Sequence, residues 1–165
     1  MGELDEWRCG LEIQLWPGWK TYWRSPGDAG IPPRPNWDGS DNLKSAKLLW
    51  PAPERFSVLG LETLGYKKEV VFPIDAVPVE QGKPLAVKAV IPYLTCDDIC
   101  IPYTANLNLT LPAGEAKPSE FAHLISRYAA TVPGDGTGHG LMLANAAALS
   151  PGDAAKGEML ISVRA

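Results

Sequence analysis

Cys96 and Cys100 are the residues of this chain best suited to chemistry. They stand in Leu94-Thr95-Cys96-Asp97-Asp98-Ile99-Cys100-Ile101-Pro102-Tyr103. Thiols this close in sequence can close a disulfide, trade it with another thiol, or share a soft metal ion. Which of these is open to them depends on how the flanking chain holds them.

Both flanking segments read as β-strands. Setting Cys96 opposite Cys100 puts Tyr93 opposite Tyr103, Ala89 opposite Leu107, Val87 opposite Leu109 and Leu85 opposite Leu111, all on one face. On the other face Lys88 meets Asn108 and Ala86 meets Thr110. Side chains alternate faces with period 2, so a one-residue slip would destroy this agreement. The sequence therefore predicts a hairpin with one cysteine on each strand. Directly opposed residues have Cα atoms about 4.5–5.5 Å apart, inside the ~4.4–6.8 Å that a disulfide accepts. Strict alternation puts the cysteines on the polar face with Lys88 and Asn108, and Pro92 and Pro102 are the residues able to disturb that phase. The closed loop is very short, so its entropic contribution is small.

Residue types alone leave two readings of the pair. A cross-strand bond of this kind can be strained, and strained or exposed disulfides are the reducible ones, which suits electron exchange. Against this, the spacing is not Cys-x-x-Cys, and a plain structural disulfide or two buried thiols fit equally well. Asp97 and Asp98 also oppose a self-activated thiolate, because negative neighbours raise a thiol pKa. A catalytic pair would act as an oxidised acceptor or rely on its partner's surroundings for activation.

The 165 residues carry 45% hydrophobic and 21% charged side chains, as a globular protein does. A net charge of −4 gives no electrostatic case for nucleic acid or an anionic membrane surface. No apolar run approaches the ~18 residues of a membrane span. The acidic start, Met-Gly-Glu-Leu-Asp-Glu, shows no signal peptide, which fits a cytosolic chain or one whose signal has been removed. With 16 Pro and 16 Gly the chain favours short strands and turns over long helices.

The elements that must position the cysteines follow from that punctuation. Strands are expected over 7–16, 19–24, 46–50 and 68–74, with turns at Pro17-Gly18 and Gln81-Gly82-Lys83-Pro84. The stretches 25–35 and 56–65 read as loops, each with two glycines. Short strands with no helix between them indicate a β-sandwich. Phe121, Leu124, Ile125 and Tyr128 then repeat at helical spacing, and Gly134 to Gly140 reads as a linker. Two further strands are expected within 141–148 and 159–164. The fold class is thus all-β and immunoglobulin-like, with a short C-terminal helix and a tail that either begins a second β domain or packs back on the first. The expected divisions are 1–117 for the immunoglobulin-like domain with the cysteine hairpin, 118–140 for helix and linker, and 141–165 for the start of a second, truncated domain.

Other candidates read more plainly. Cys9 alternates with Leu11, Ile13 and Leu15 and fits a buried strand position, its rival being an inter-sheet bridge to Cys96 or Cys100. The six tryptophans, Trp7, Trp16, Trp19, Trp23, Trp37 and Trp50, serve packing or line an aromatic groove for carbohydrate or peptide. His123 and His139 read as solvated side chains, and Asp28, Asp38 and Asp41 as turn residues. A site built from Cys9, Cys96, Cys100 and a histidine lacks zinc spacing, leaving a soft ion such as Cu(I) as the metal alternative.

Three stretches together resemble a known family. They are Gly18-Trp19-Lys20-Thr21-Tyr22-Trp23-Arg24-Ser25-Pro26-Gly27-Asp28-Ala29-Gly30-Ile31-Pro32-Pro33, then Trp37 to Leu43 with Trp50-Pro51-Ala52-Pro53, and the cysteine hairpin. Over roughly residues 7–115 the chain resembles the N-terminal periplasmic α domain of the DsbD/ScsB thiol-disulfide reductases. It is closer to the ScsB (suppressor of copper sensitivity) branch.

The resemblance implies a periplasmic protein-disulfide reductase domain of a larger inner-membrane protein. Electrons would pass from a membrane domain through a thioredoxin-like domain to the Cys96/Cys100 pair, and on to oxidised thioredoxin-fold clients. Copper tolerance and cytochrome c biogenesis belong to the same implied setting. Cys100 would be the attacking sulfur and Cys96 the resolving one. No cofactor beyond the cysteine pair is implied, no metal, no nucleic acid, and no membrane contact except through the rest of the protein. A cap over the pair would come from Phe56 to Gly65, with Phe56 or Leu59 shielding and Tyr22 nearby. Two features depart from the pattern: three residues lie between the cysteines rather than five, and Cys9 has no family role. The competing class is a non-catalytic immunoglobulin-like binding or copper-handling module with a structural disulfide.

Overall fold

In a computed structural model of the chain, residues 6–114, 117–134, 142–147 and 160–164 are described. The chain divides into two compact units, Met1–Val132 and Pro133–Ala165. The first carries eight strands: β1 (Trp7–Gln14), β2 (Lys20–Gly27), β3 (Leu43–Leu48), β4 (Glu54–Val58), β5 (Leu61–Lys67), β6 (Glu69–Pro78), β7 (Leu85–Cys96) and β8 (Cys100–Leu111), followed by helix α1 (Ala122–Ala129). The second contains an antiparallel pair, β9 (Met142–Ala147) and β10 (Leu160–Arg164). The Gly-rich stretch with His139, and the outer ends of the two tail segments, lie outside the described residues.

In the first unit a three-stranded sheet, β1-β6-β3, faces a five-stranded sheet, β4-β5-β2-β7-β8. The architecture is the all-β, immunoglobulin-like sandwich that the turn-punctuated sequence predicts. Leu11, Ile13, Val70, Phe72 and Ile74 from the first sheet meet Tyr66, Ala89 and Ile91 from the second in one buried cluster. Phe72 anchors it, with Trp50 and Tyr66 each 5.2 Å away edge-to-face, the geometry aromatic quadrupoles prefer.

β6 reads as an unbroken apolar run from Val70 to Ile74 because both of its faces are covered there. Val70, Phe72 and Ile74 face the other sheet, while Val71 lies beneath Ile125 of α1. Gly10 on β1 makes room for that helix: a Cβ there would lie 2.9 Å from Ile125 Cγ1. Tyr128 completes the seat by donating its hydroxyl to Glu69 Oε1 at 3.0 Å. The helix thus packs on the first unit, in which its residues fall.

The β7–β8 register is the predicted one, pair by pair, from Leu85 opposite Leu111 to Cys96 opposite Cys100. On its other side β7 has two successive neighbours. The segment with Asn36 and Asp41 bridges to Val90 and Ala86, and β2 takes over only at Lys20 opposite Cys96. Thr21 reinforces that junction, donating its hydroxyl to the Leu94 carbonyl at 3.0 Å.

The stretch Phe56 to Gly65, read from sequence as a loop, lies instead in the β4–β5 hairpin. Its turn, Leu59-Gly60, has positive φ at both residues, 52° and 81°. That conformation matches the twist of the flanking strands, but Asn-Gly or Asp-Gly is its usual signature. A leucine there hides the signal. The hairpin lies close on β2, because Gly65 has the Thr21 carbonyl where a Cβ would stand.

Two predictions follow from this packing. Gly65→Ala forces β5 away from β2 and should lower stability by about 1–3 kcal/mol, measured by denaturant unfolding. Burial pushes the Tyr66 phenol well above its ordinary range, with Arg24 acting weakly in the opposite direction. Its hydroxyl donates to the Pro51 carbonyl at 2.9 Å. The native state keeps this proton while the unfolded chain releases it near pH ~10, so stability should fall as pH rises above that value. Tyr66→Phe should be less stable at neutral pH and show a shallower alkaline decline.

Candidate active site

The end of the β7–β8 hairpin holds a disulfide between Cys96 and Cys100, with Cα atoms 4.1 Å apart. Asp97, Asp98 and Ile99 make the connection, and the Asp97 N–H donates back to the Ile99 carbonyl at 2.9 Å. The two sulfur-bearing residues have opposite surroundings. Cys96 is fully buried, at 0% exposure, whereas Cys100 is exposed beside Ile99 at 62%.

Cys96 shares its face of β7 with Lys88, as alternation requires, yet the face is not polar there. Lys88 is exposed, but eight residues on the same side is covered. Tyr22, Phe56 and Val58 are buried with Cys96 in one cluster, and Leu94 packs against it. The expectation of a polar face fails because the β4–β5 hairpin covers one end of that face. The Phe56 and Tyr22 rings lie 6.4 Å apart and tilted. Thr63 ties the hairpin internally by donating its hydroxyl to the Phe56 carbonyl at 3.0 Å.

A loop after β2 holds the hairpin from outside. The Asp28 N–H donates to the Glu62 carbonyl at 3.0 Å, and the Glu62 N–H donates to Asp28 Oδ2 at 3.1 Å. Gly30, at φ 111°, lies so close to the Tyr22 ring that any Cβ would enter it. Of the cap residues expected from sequence, Phe56 and Tyr22 are brought together at Cys96. Leu59 stands at the hairpin tip, 71% exposed.

Charged groups gather around Phe56, the ring that covers Cys96. Lys20, the strand neighbour of Cys96, has its Nζ 2.9 Å from the Gly18 carbonyl and 3.9 Å from Asp97 Oδ1. That Nζ also lies 5.9 Å from the centre of the Phe56 ring, and Lys67 Nζ lies 5.4 Å from it. Lys67 in turn is 3.9 Å from Glu54 Oε2. Sequence reasoning missed Lys20 and Leu94, and held Val58 only as part of the 56–65 cap stretch. Lys20 stands in the Gly18–Pro33 stretch, but its role depends on a β2–β7 pairing that no local pattern announces.

The third cysteine is elsewhere. Cys9 is a free, half-buried thiol on β1 opposite Ile74, so the inter-sheet bridge does not form. Burial pushes its pKa up, as expected of an inert strand thiol. Among the described residues, no three His, Cys, Asp or Glu side chains gather as a metal site. Trp23, Trp37 and Trp50 pack against the core. Trp16 and Trp19 line an open cleft of about 340 Å³ with Tyr93 and Tyr103, whose rings stack at 5.6 Å. His123 is exposed on α1.

Residues 3–112 match the family described as "Thiol:disulfide interchange protein DsbD, N-terminal". The chain belongs to this family. It is 41% identical to the N-terminal periplasmic domain of ScsB from Proteus mirabilis, with a TM-score of 0.63 over 76% of the chain. The match takes in 48% of that structure, so the chain spans about half its length. The N-terminal domain of Neisseria meningitidis DsbD in its reduced form is a remote neighbour, at 15% identity and a TM-score of 0.33, over 65% of this chain and 77% of that one. No curated protein sequence matches the chain. Within the family, the chain stands on the ScsB side, as its sequence suggests.

The cap predicts a specific chemical change. Phe56→Ala should remove about 3 kcal/mol or more of stability. In the reduced protein it should also speed alkylation of Cys96 several-fold, with little change at Cys100, read by mass spectrometry of the two thiols.

Proposed function

We propose that the chain is a periplasmic thiol-disulfide exchange domain of a longer inner-membrane protein, with Cys96 and Cys100 as its redox pair. The observation that carries this reading is the unequal exposure of the two cysteines, one covered and one open. Exchange proceeds when a thiolate attacks one sulfur of a disulfide and expels the other. Only Cys100 presents an open side for that attack, so it takes the incoming partner and Cys96 is the sulfur expelled.

Reduction then runs in two balanced steps. A partner thiolate attacks Cys100 Sγ, a mixed disulfide forms, and the electron pair of the old S–S bond passes to Cys96. A second partner thiol, as its thiolate, attacks its own sulfur in the mixed disulfide. It leaves with an intramolecular disulfide, and Cys100 departs as thiolate. Two electrons have entered the domain, and protons from water complete the thiols. Discharge to an oxidised client is the reverse sequence, with Cys100 attacking and Cys96 resolving. The donor is a thioredoxin-like domain of the same protein, and the clients are periplasmic proteins of the same fold. Family membership supports this direction, and the chemistry uses no cofactor beyond the pair. Among the described residues, no helix is long and apolar enough to cross a membrane.

The decisive test traps the intermediate. Cys96→Ser leaves Cys100 without its resolving partner and should accumulate a mixed disulfide with a thioredoxin-fold protein, while Cys100→Ser should accumulate little. Absence of any Cys100 adduct would overturn the reading. The wild-type pair should also titrate in a redox buffer above roughly −300 mV, since structural disulfides lie below that value. A much lower potential would make the bond structural and the domain a binding module.

A further inference from the structure

We propose that Lys20 is the cation that lets Cys96 leave, and persist, as a thiolate when the disulfide opens. This rests on the exchange reading above. Attack at Cys100 sends a full negative charge to Cys96, which lies among Tyr22, Phe56 and Val58 at 0% exposure. Burial in apolar surroundings disfavours a thiolate, and so do the adjacent Asp97 and Asp98. Without a compensating charge the bond would open slowly at its covered end, because a leaving thiol of lower pKa leaves faster.

Lys20 fits that need by position. It is the direct strand partner of Cys96, and opposed residues on paired strands project from the same face. Its side chain is 18% exposed, the most covered among the basic groups around the cap. Its ammonium lies beside both Phe56 and Asp97, the residue next to Cys96 in the chain. At 3.9 Å the Asp97 contact is long for a charge-assisted hydrogen bond. Asp97 therefore does not monopolise the ammonium.

The other titratable groups around the cap and the connection are weaker candidates. Lys67, from β5, is 42% exposed and near Glu54 of β4. Tyr22, from β2, has its phenol pushed up by burial and stays neutral. Asp97 and Asp98, from the connection, carry the wrong sign. The same ammonium serves the return step, since it raises the thiolate fraction of Cys96 when that sulfur must resolve a mixed disulfide at Cys100.

The test is the pH profile of Cys96 alkylation by iodoacetamide in the fully reduced chain, with Cys9, Cys96 and Cys100 resolved by peptide mass spectrometry. Lys20→Met should move the Cys96 midpoint up by about one pH unit or more. Lys20→Arg should restore it, and the Cys9 profile should stay fixed throughout. A Cys96 midpoint in Lys20→Met that superimposes on wild type would overturn the proposal. Where methionine disturbs folding, Lys20→Gln keeps a polar head for the Gly18 carbonyl and must move the midpoint in the same direction; an unmoved midpoint there overturns it equally. The Cys96→Ser trap separates the two ideas. A Cys96→Ser chain that traps partners through Cys100, while Lys20→Met leaves the Cys96 midpoint unmoved, removes Lys20 and spares the exchange function.

Discussion

Register is the constraint on which the rest of this structure depends. Twelve consecutive pairs hold β7 against β8, and the last is Cys96 with Cys100. A slip of one residue would turn Leu85, Val87, Ala89 and Ile91 out of the core, so the buried face locks the ladder. The cysteines meet because leucines and valines far from them must be covered. The hydrophobic effect thus sets the distance between two sulfur atoms, with no contribution required from the bond itself.

A second layer makes the two sulfurs different. The β4–β5 hairpin reaches Cys96 through Phe56 and Val58 and leaves Cys100 open. That hairpin is held at several independent points: Gly65 against β2, Glu62 against Asp28, and the Phe56 ring between two ammonium groups. Each hold is modest, the cation–π contacts contributing about 0.5–1 kcal/mol apiece where water reaches them.

Much of this was legible in the residues, for identifiable reasons. The cysteine hairpin could be registered because many pairs agreed at once, and α1 because Phe121, Leu124, Ile125 and Tyr128 keep helical spacing. β6 was recognisable because a strand covered on both faces reads as continuous Val-Val-Phe-Pro-Ile. The β4–β5 hairpin escaped because Leu59 occupies a left-handed position that sequence reasoning reserves for Gly, Asn or Asp. The burial of Cys96 escaped with it, since alternation fixes which side a residue faces and is silent about what covers that side. Lys20 was invisible for a related reason: its neighbour in space, Cys96, is far along the chain, and a single bridge leaves no periodic trace.

The change of neighbours along β7 carries a mechanical consequence. Its middle is clasped by the Asn36–Asp41 segment and its end by Lys20 of β2. The sulfur-bearing tip and the body of the strand are therefore braced by different parts of the chain. A displacement at the tip loads β2 and the hairpin beyond it, while the body stays gripped by other residues and by the core. The two ends of one strand thus answer to different parts of the chain, and the tip that carries the sulfurs has a brace of its own.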